Sequence, residues 1–167
     1  MSREASYGKT KLNNVSEDSA LNVLLDSNSS FQRPDSKTRK RILALLQAEQ
    51  FSHRAFDLVQ TDVPIPALTL GNVDEFIDNI TLVEVKATKK AIADENLHGF
   101  FFGATDNEYR LAARLENRFK FAFVVLAPKD DRPPFFVLLT LAEVEARTRT
   151  KRIQYQVNFK GREKNAA

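Results

Sequence analysis

Residues 80–90 read ITLVEVKATKK. Successive side chains of a strand point to opposite faces, so Leu82, Glu84, Lys86 and Thr88 share one side and Val83, Val85 and Ala87 the other. If the Val83 side packs on a helix, Glu84 and Lys86 face a cleft or solvent. An ordinary half-exposed strand with a same-face ion pair also accounts for them, at little energetic benefit. About one E-x-K is expected by chance in a chain of common composition. This one is the only copy, and it falls on a strand pattern and not on a polar helix.

Immediately upstream, GNVDEFIDN (71–79) reads as a second strand, joined to the first near Asp78-Asn79 as a hairpin. A three-residue connection puts Asp74 on the Glu84 face, diagonal to it. A two-residue turn points it away, and Asp78 is then the rival. Further back, RAFDLVQTDVPIP (54–66) is an extended segment closed by prolines. A helix follows Pro34, capped by Asp35 or Ser36 and running to about Phe51 on the spacing of Ile42, Leu45 and Leu46. Lys37, Arg39, Lys40 and Arg41 crowd its first turns, where the macrodipole disfavours positive charge; an external anion or a solvated basic face would each explain them. Residues 1–36 form a polar arm whose only apolar cluster is 20–25, with Ser16 as a cap for a short helix.

Downstream, HGFFFGAT (98–105) is expected to be buried chain leading into a helix. Thr105 and Glu108 open that helix as a capping box. Leu111, Ala112 and Leu115 are its apolar stripe, and Arg110, Arg114 and Arg118 recur every four residues as a basic one. FKFAFVVLAP (119–128) is a strand, KDDRPP a turn, and FFVLLT (135–140) a hairpin partner. Thr140 and Glu143 begin a short helix to about Arg147, and RTRTKRIQYQVNFKGR (147–162) alternates as a final strand would. Between 37 and 126 the order is helix, three strands, helix, strand: a mixed α/β pattern around one sheet. Residues 37–167 are expected to be one domain, with a basic β-rich extension from 127.

The composition is that of a globular protein: 167 residues, 43% hydrophobic and 28% charged. No run of roughly 18 apolar residues predicts a membrane span, and MSREASYGKTKLNN lacks the apolar region of a secretory signal. The absence of cysteine excludes disulfides and thiolate metal sites and makes a cytoplasmic setting the expectation. A net charge of +3 and a pI of about 9.2 point weakly to a polyanionic partner. His53 and His98 lie too far apart for a metal-ligand motif, and no P-loop, G-x-G-x-x-G or G-x-S-x-G is present. Most of the thirteen phenylalanines are expected in the core, although Phe can stack on bases.

Two carboxylates and a lysine in one cleft suit metal-dependent phosphodiester hydrolysis. Hard oxygen ligands hold Mg²⁺, and a nearby ammonium orients water or stabilises the transition state. With D…E-x-K on a hairpin inside helix–three strands–helix–strand, residues 37–126 resemble the PD-(D/E)xK, or restriction-endonuclease-like, nucleases. EVKAT and FFGATDNEYRLA also look like sequences from microbial restriction systems. Val73 and Ile77 stand before Asp74 and Asp78 where the family pattern has proline.

The resemblance implies an α/β fold with an αβββαβ core, its mixed central sheet flanked by helices. It implies Mg²⁺, with Mn²⁺ as a substitute, held by Asp74, Glu84 and the backbone carbonyl of Val85, while Lys86 assists the attacking water. Some members add a glutamate from the first helix, for which Glu49 is the candidate. DNA would meet Lys89 and Lys90, the Arg110, Arg114 and Arg118 stripe, and Arg147, Arg149, Lys151 and Arg152. These last four open a tail with seven basic residues against one acid from Ala146 onward, and such contacts are salt-sensitive. The expectation is a Mg²⁺-dependent DNA endonuclease, cutting two strands as a homodimer or with a partner subunit. The alternatives are a non-catalytic nuclease-fold DNA-binding module, a subunit of a larger restriction complex, or a structural protein with a basic surface.

Overall fold

A computed structural model describes residues 16–28 and 30–153. In chain order the elements are α1 (16–27), β1 (Phe31–Gln32), α2 (Ser36–Leu45), β2 (Leu58–Thr61), α3 (Val73–Phe76), β3 (Ile80–Thr88), α4 (Asp106–Leu115), β4 (Phe119–Val125), β5 (Phe135–Leu139) and α5 (Leu141–Arg147). The five strands make one sheet in the order β1-β2-β3-β4-β5. β3 and β4 run parallel, and the other three pairings are antiparallel. Parallel neighbours need a crossover, and α4 supplies it.

The alternation read from 80–90 organises both layers. Leu82 faces a core built with Val59, Phe119, Phe121 and Phe123, closed by Ile42 and Leu43 of α2 and Leu111 and Ala112 of α4. Val83 and Val85 face the opposite core, with Leu58, Ala122 and Val124, closed by Ala20, Leu21 and Leu24 of α1. The sheet therefore lies between two helical layers in a mixed α/β fold. Three of the expected caps form, at Asp35, Thr105 and Thr140. The side chain of Asp35 accepts from the Thr38 N–H at 2.7 Å, and Thr105–Glu108 and Thr140–Glu143 both close as capping boxes.

Four expectations are corrected. Residues 71–79 make no strand: they form α3 and a one-turn helix over Ile77–Asn79. The side chain of Asn72 accepts from the Thr69 N–H and donates to the Ala67 carbonyl, which turns the chain. Asp74 and Glu75 then sit in a first helical turn, where negative charge is favoured. The antiparallel partner of β3 is β2, from Leu58↔Val83 to Thr61↔Ile80. The third strand on that side is β1, which precedes α2, so the order after α2 has two strands and not three before α4.

The boundary expected at 36/37 is also absent, because Ala20 and Leu24 of α1 are fully buried against the sheet. α2 ends at Leu45 and not near Phe51, since Gln47 takes the left-handed conformation at φ 52°. Of the expected final strand, residues 148–153 carry no regular structure and 154–162 lie outside the described residues. Among the described residues no helix is long and apolar enough to cross a membrane.

Candidate functional site

β3 carries Glu84 and Lys86 on the face that α4 covers. The Lys86 Nζ donates to Glu84 Oε1 and to Glu108 Oε2, both at 2.8 Å. Glu108 is held in turn by its cap, its Oε2 also accepting from the Thr105 N–H at 3.0 Å. One carboxylate oxygen thus ties the start of α4 to the middle of β3. The three side chains are only 8–12% exposed.

The second acid near Glu84 is Asp57, at the entry to β2. Leu58 is the register partner of Val83, yet the Asp57 N–H also donates to the Val83 carbonyl at 2.9 Å. Two residues against one is the count of a β-bulge, a device that re-aims a side chain. Here it directs Asp57 Oδ2 to accept from the Val85 N–H at 2.9 Å. A strand residue presents its N–H and C=O to the same edge, so the Val85 carbonyl points toward this edge as well.

Arg39 of α2 fixes the bulge. Its guanidinium donates to the carbonyls of Phe56 and Asp57 at 2.9 Å each and to that of Pro34 at 3.0 Å, and it lies over the Phe56 ring. Burial holds its pKa below the usual arginine value, against the pull of Asp57. Its place in a first turn that disfavours cations is thereby explained without an external anion.

The electrostatics are those of acids in excess. Desolvation, and then the charge of Asp57, push the Glu84 carboxyl up to about 9, although Lys86 opposes this. Burial works to lower the Lys86 ammonium, but Glu84 and Glu108 outweigh it and raise the pKa above the ordinary lysine value. Glu84 Oε2 is buried and has no hydrogen-bond partner among the described residues. Such an atom is costly unless something else meets it. Glu17, in the first turn of α1, senses the same centre: desolvation and Asp57 raise its carboxyl, and Lys86 acts to lower it.

The other expected residues fall elsewhere. Asp74 is exposed on α3 and pairs with Arg41, whose hydrogen bond lowers the Asp74 carboxyl. Asp78 is exposed in the one-turn helix, and Glu49 is exposed beyond the end of α2. Neither Asp74 nor Asp78 is among the main influences on the Glu84 carboxyl. The basic stripe breaks up, because Arg118 lies past the end of α4 and donates to the carbonyls of Ile77 and Ile80. Arg110 pairs with Asp106 and lies over Phe51, and Lys151 pairs with Glu145 and lies over Tyr109. Lys90 donates to the Gly99 carbonyl and Arg147 to that of Glu95, while Lys89, Arg114, Arg149 and Arg152 are exposed.

Sequence reading missed Asp57, Glu108 and Glu17 as site residues. Glu108 was legible only as a cap and Glu17 only as a first-turn acid. Asp57 stood visibly before an apolar run, but its pairing with β3 spans a long connection.

Among the described residues no three or more acidic or histidine side chains gather closely enough to hold a metal ion by themselves. What is present is a pair of carboxylates, Asp57 and Glu84, with a backbone carbonyl at the same strand edge. Compared with family models, curated proteins and solved structures, the chain finds no match.

Proposed function

We propose that this chain is a metal-dependent DNA endonuclease with a restriction-endonuclease-like core, acting in the cytoplasm as a homodimer or with a partner subunit. The observation that carries the reading is the buried, partnerless Glu84 Oε2 in the field of Asp57, with Lys86 fixed alongside. Support for the core comes from the antiparallel β2–β3 pair, the parallel β3–β4 pair and the α4 crossover, with β1 standing as the first strand.

Asp57, Glu84 and the Val85 carbonyl would hold the ion, an oxygen-donor set that leaves positions for water and phosphate and so suits Mg²⁺ or Mn²⁺. When bound, the ion supplies a water of lowered pKa and neutralises charge that grows on the phosphate. Lys86 holds Glu84 by Oε1 and leaves Oε2 for the ion. Its ammonium, steadied by Glu108, orients the attacking water toward phosphorus. Asp57 takes the role expected of Asp74, and Glu17, whose carboxyl feels Asp57 and Lys86, replaces Glu49 as the helical glutamate. Lys89, Arg114, Arg149 and Arg152 remain for backbone phosphates.

The second reading is a nuclease-fold DNA-binding module without catalysis. Its supporting observation is that Lys86 is engaged by two carboxylates, as a structural ion pair would be. Incubation with supercoiled plasmid and Mg²⁺ or Mn²⁺ separates the two. Nicked or linear product is expected, abolished by EDTA, Asp57→Asn, Glu84→Ala and Lys86→Ala. DNA retention without product under both metals would establish the module.

A further inference from the structure

The loop from β3 to α4 carries Phe100, Phe101 and Phe102, whose environments differ sharply. Phe100 packs edge-on against Phe123 with ring centroids 5.2 Å apart, and Phe102 meets the same ring at 4.9 Å. Phe101 is 89% exposed. In extended chain, residues two apart share a side and the one between them points away. Pinning Phe100 and Phe102 into the core therefore projects Phe101 outward. Folding asks nothing apolar of position 101, and a polar residue there would leave both anchors intact. The loop is also held from behind. Gly99 adopts φ 80°, a conformation that suits glycine, and its carbonyl accepts from Lys90 Nζ at 3.1 Å. A bare aromatic ring thus stands on a fixed base, with exposed Lys89 and Lys90 at the foot of the loop.

Its position relative to the site is bounded by the chain. Thr105, whose N–H shares Glu108 Oε2 with Lys86, is four residues on. Four residues span at most about 14 Å. That is roughly four stacked nucleotides at about 3.4 Å each. Every base has a face that an aromatic ring can cover, and such stacking needs no particular sequence.

We propose that Phe101 stacks on an unpaired base a few nucleotides from the phosphate held at Glu84 and Lys86, so that the preferred substrate is DNA with an unstacked nucleotide. The ring gives this preference without reading base edges. The inference rests on the nuclease reading for the location of the phosphate, but stacking is measurable without cleavage.

The test uses the full chain in EDTA and a duplex with a one-nucleotide bulge carrying 2-aminopurine, beside the fully paired duplex. Binding should quench the fluorophore. Phe101→Ala should remove the quench and weaken bulge binding about tenfold, leaving paired-duplex binding unchanged, and Phe101→Trp should restore both. Equal bulge binding and quench by wild type and Phe101→Ala would overturn the proposal, even if plasmid cleavage is intact. Equal loss on both duplexes would also overturn it, showing a contact to backbone or fold. The expected quench without cleavage would uphold the stacking site and reject the catalytic reading. Failure to bind either duplex, in EDTA and again with Ca²⁺ in place of Mg²⁺, would overturn both.

Discussion

Glu84 is the residue on which the pH behaviour of the site turns. Its carboxyl ionises near 9 in the folded, metal-free protein and near 4.5 when unfolded. Between those values the native state keeps a proton that the unfolded chain has lost. Stability from this group is therefore full below about 4.5 and declines as pH rises toward 9. Metal-free melting temperatures should fall across pH 5–9 for the wild type and fall less for Glu84→Gln; identical slopes would remove burial as the cause. Loading the site displaces the same proton, so Mg²⁺ affinity should strengthen as pH rises over that range. The two aspartates give a sharper contrast. Asp57→Asn should lower plasmid nicking by about a hundredfold or more, and Asp74→Asn should leave it nearly unchanged. The opposite ranking would mean that the bulge is not part of the site.

At the scale of elements, caps and clamps decide where the chemistry sits. The capping boxes at Thr105 and Thr140 are alike in sequence and geometry, but only the first reaches Lys86. Thr105→Ala and Thr140→Ala should each cost about 1 kcal/mol in urea titrations. Nicking should drop for Thr105→Ala alone, because the Glu108 N–H then loses the Thr105 hydroxyl that accepts from it, and the turn that presents the Glu108 carboxylate to Lys86 loosens. Arg39 clamps α2 to the strand entry by the carbonyls of Phe56 and Asp57, and also holds that of Pro34. Arg39→Met should destabilise by on the order of 2–4 kcal/mol, since those carbonyls lose a charged donor in a half-buried place. Arg39→Lys should recover little of this, because an ammonium cannot reproduce the guanidinium fork. Full recovery by lysine would show that charge and not geometry holds the bulge.

For the molecule as a whole, α1 closes the second core with Ala20, Leu21 and Leu24. Leu24 is fully buried beneath Val83 and Val85, so Leu24→Ala should cost about 2–5 kcal/mol. Unfolding followed by far-ultraviolet dichroism and by aromatic fluorescence should remain a single coincident transition. Separate transitions would mean that the two helical layers are independent bodies.

Much of this architecture was legible where the signal is local. Thr105 and Glu108 announced α4 through spacing alone, β4 was evident from its run of Phe and Val, and the alternation of β3 placed Glu84 and Lys86 on one face. The misreadings arose where local pattern and distant packing compete. GNVDEFIDN has enough apolar residues for a strand, but the Asn72 turn and two first-turn acids favour a helix. Asp74 consequently leaves the site, and the stripe beyond Arg114 ends because α4 does. The amino-acid order by itself determined the mixed α/β class, the helix starts and the pairing of an acid with a lysine on one strand, since these depend on neighbours within a few residues. Tertiary structure alone decided that Asp57 comes beside Glu84, that Glu108 steadies Lys86 and that Phe101 projects. Each depends on strands and helices meeting across tens of residues, and the burial that drives those meetings is not a property of any short stretch.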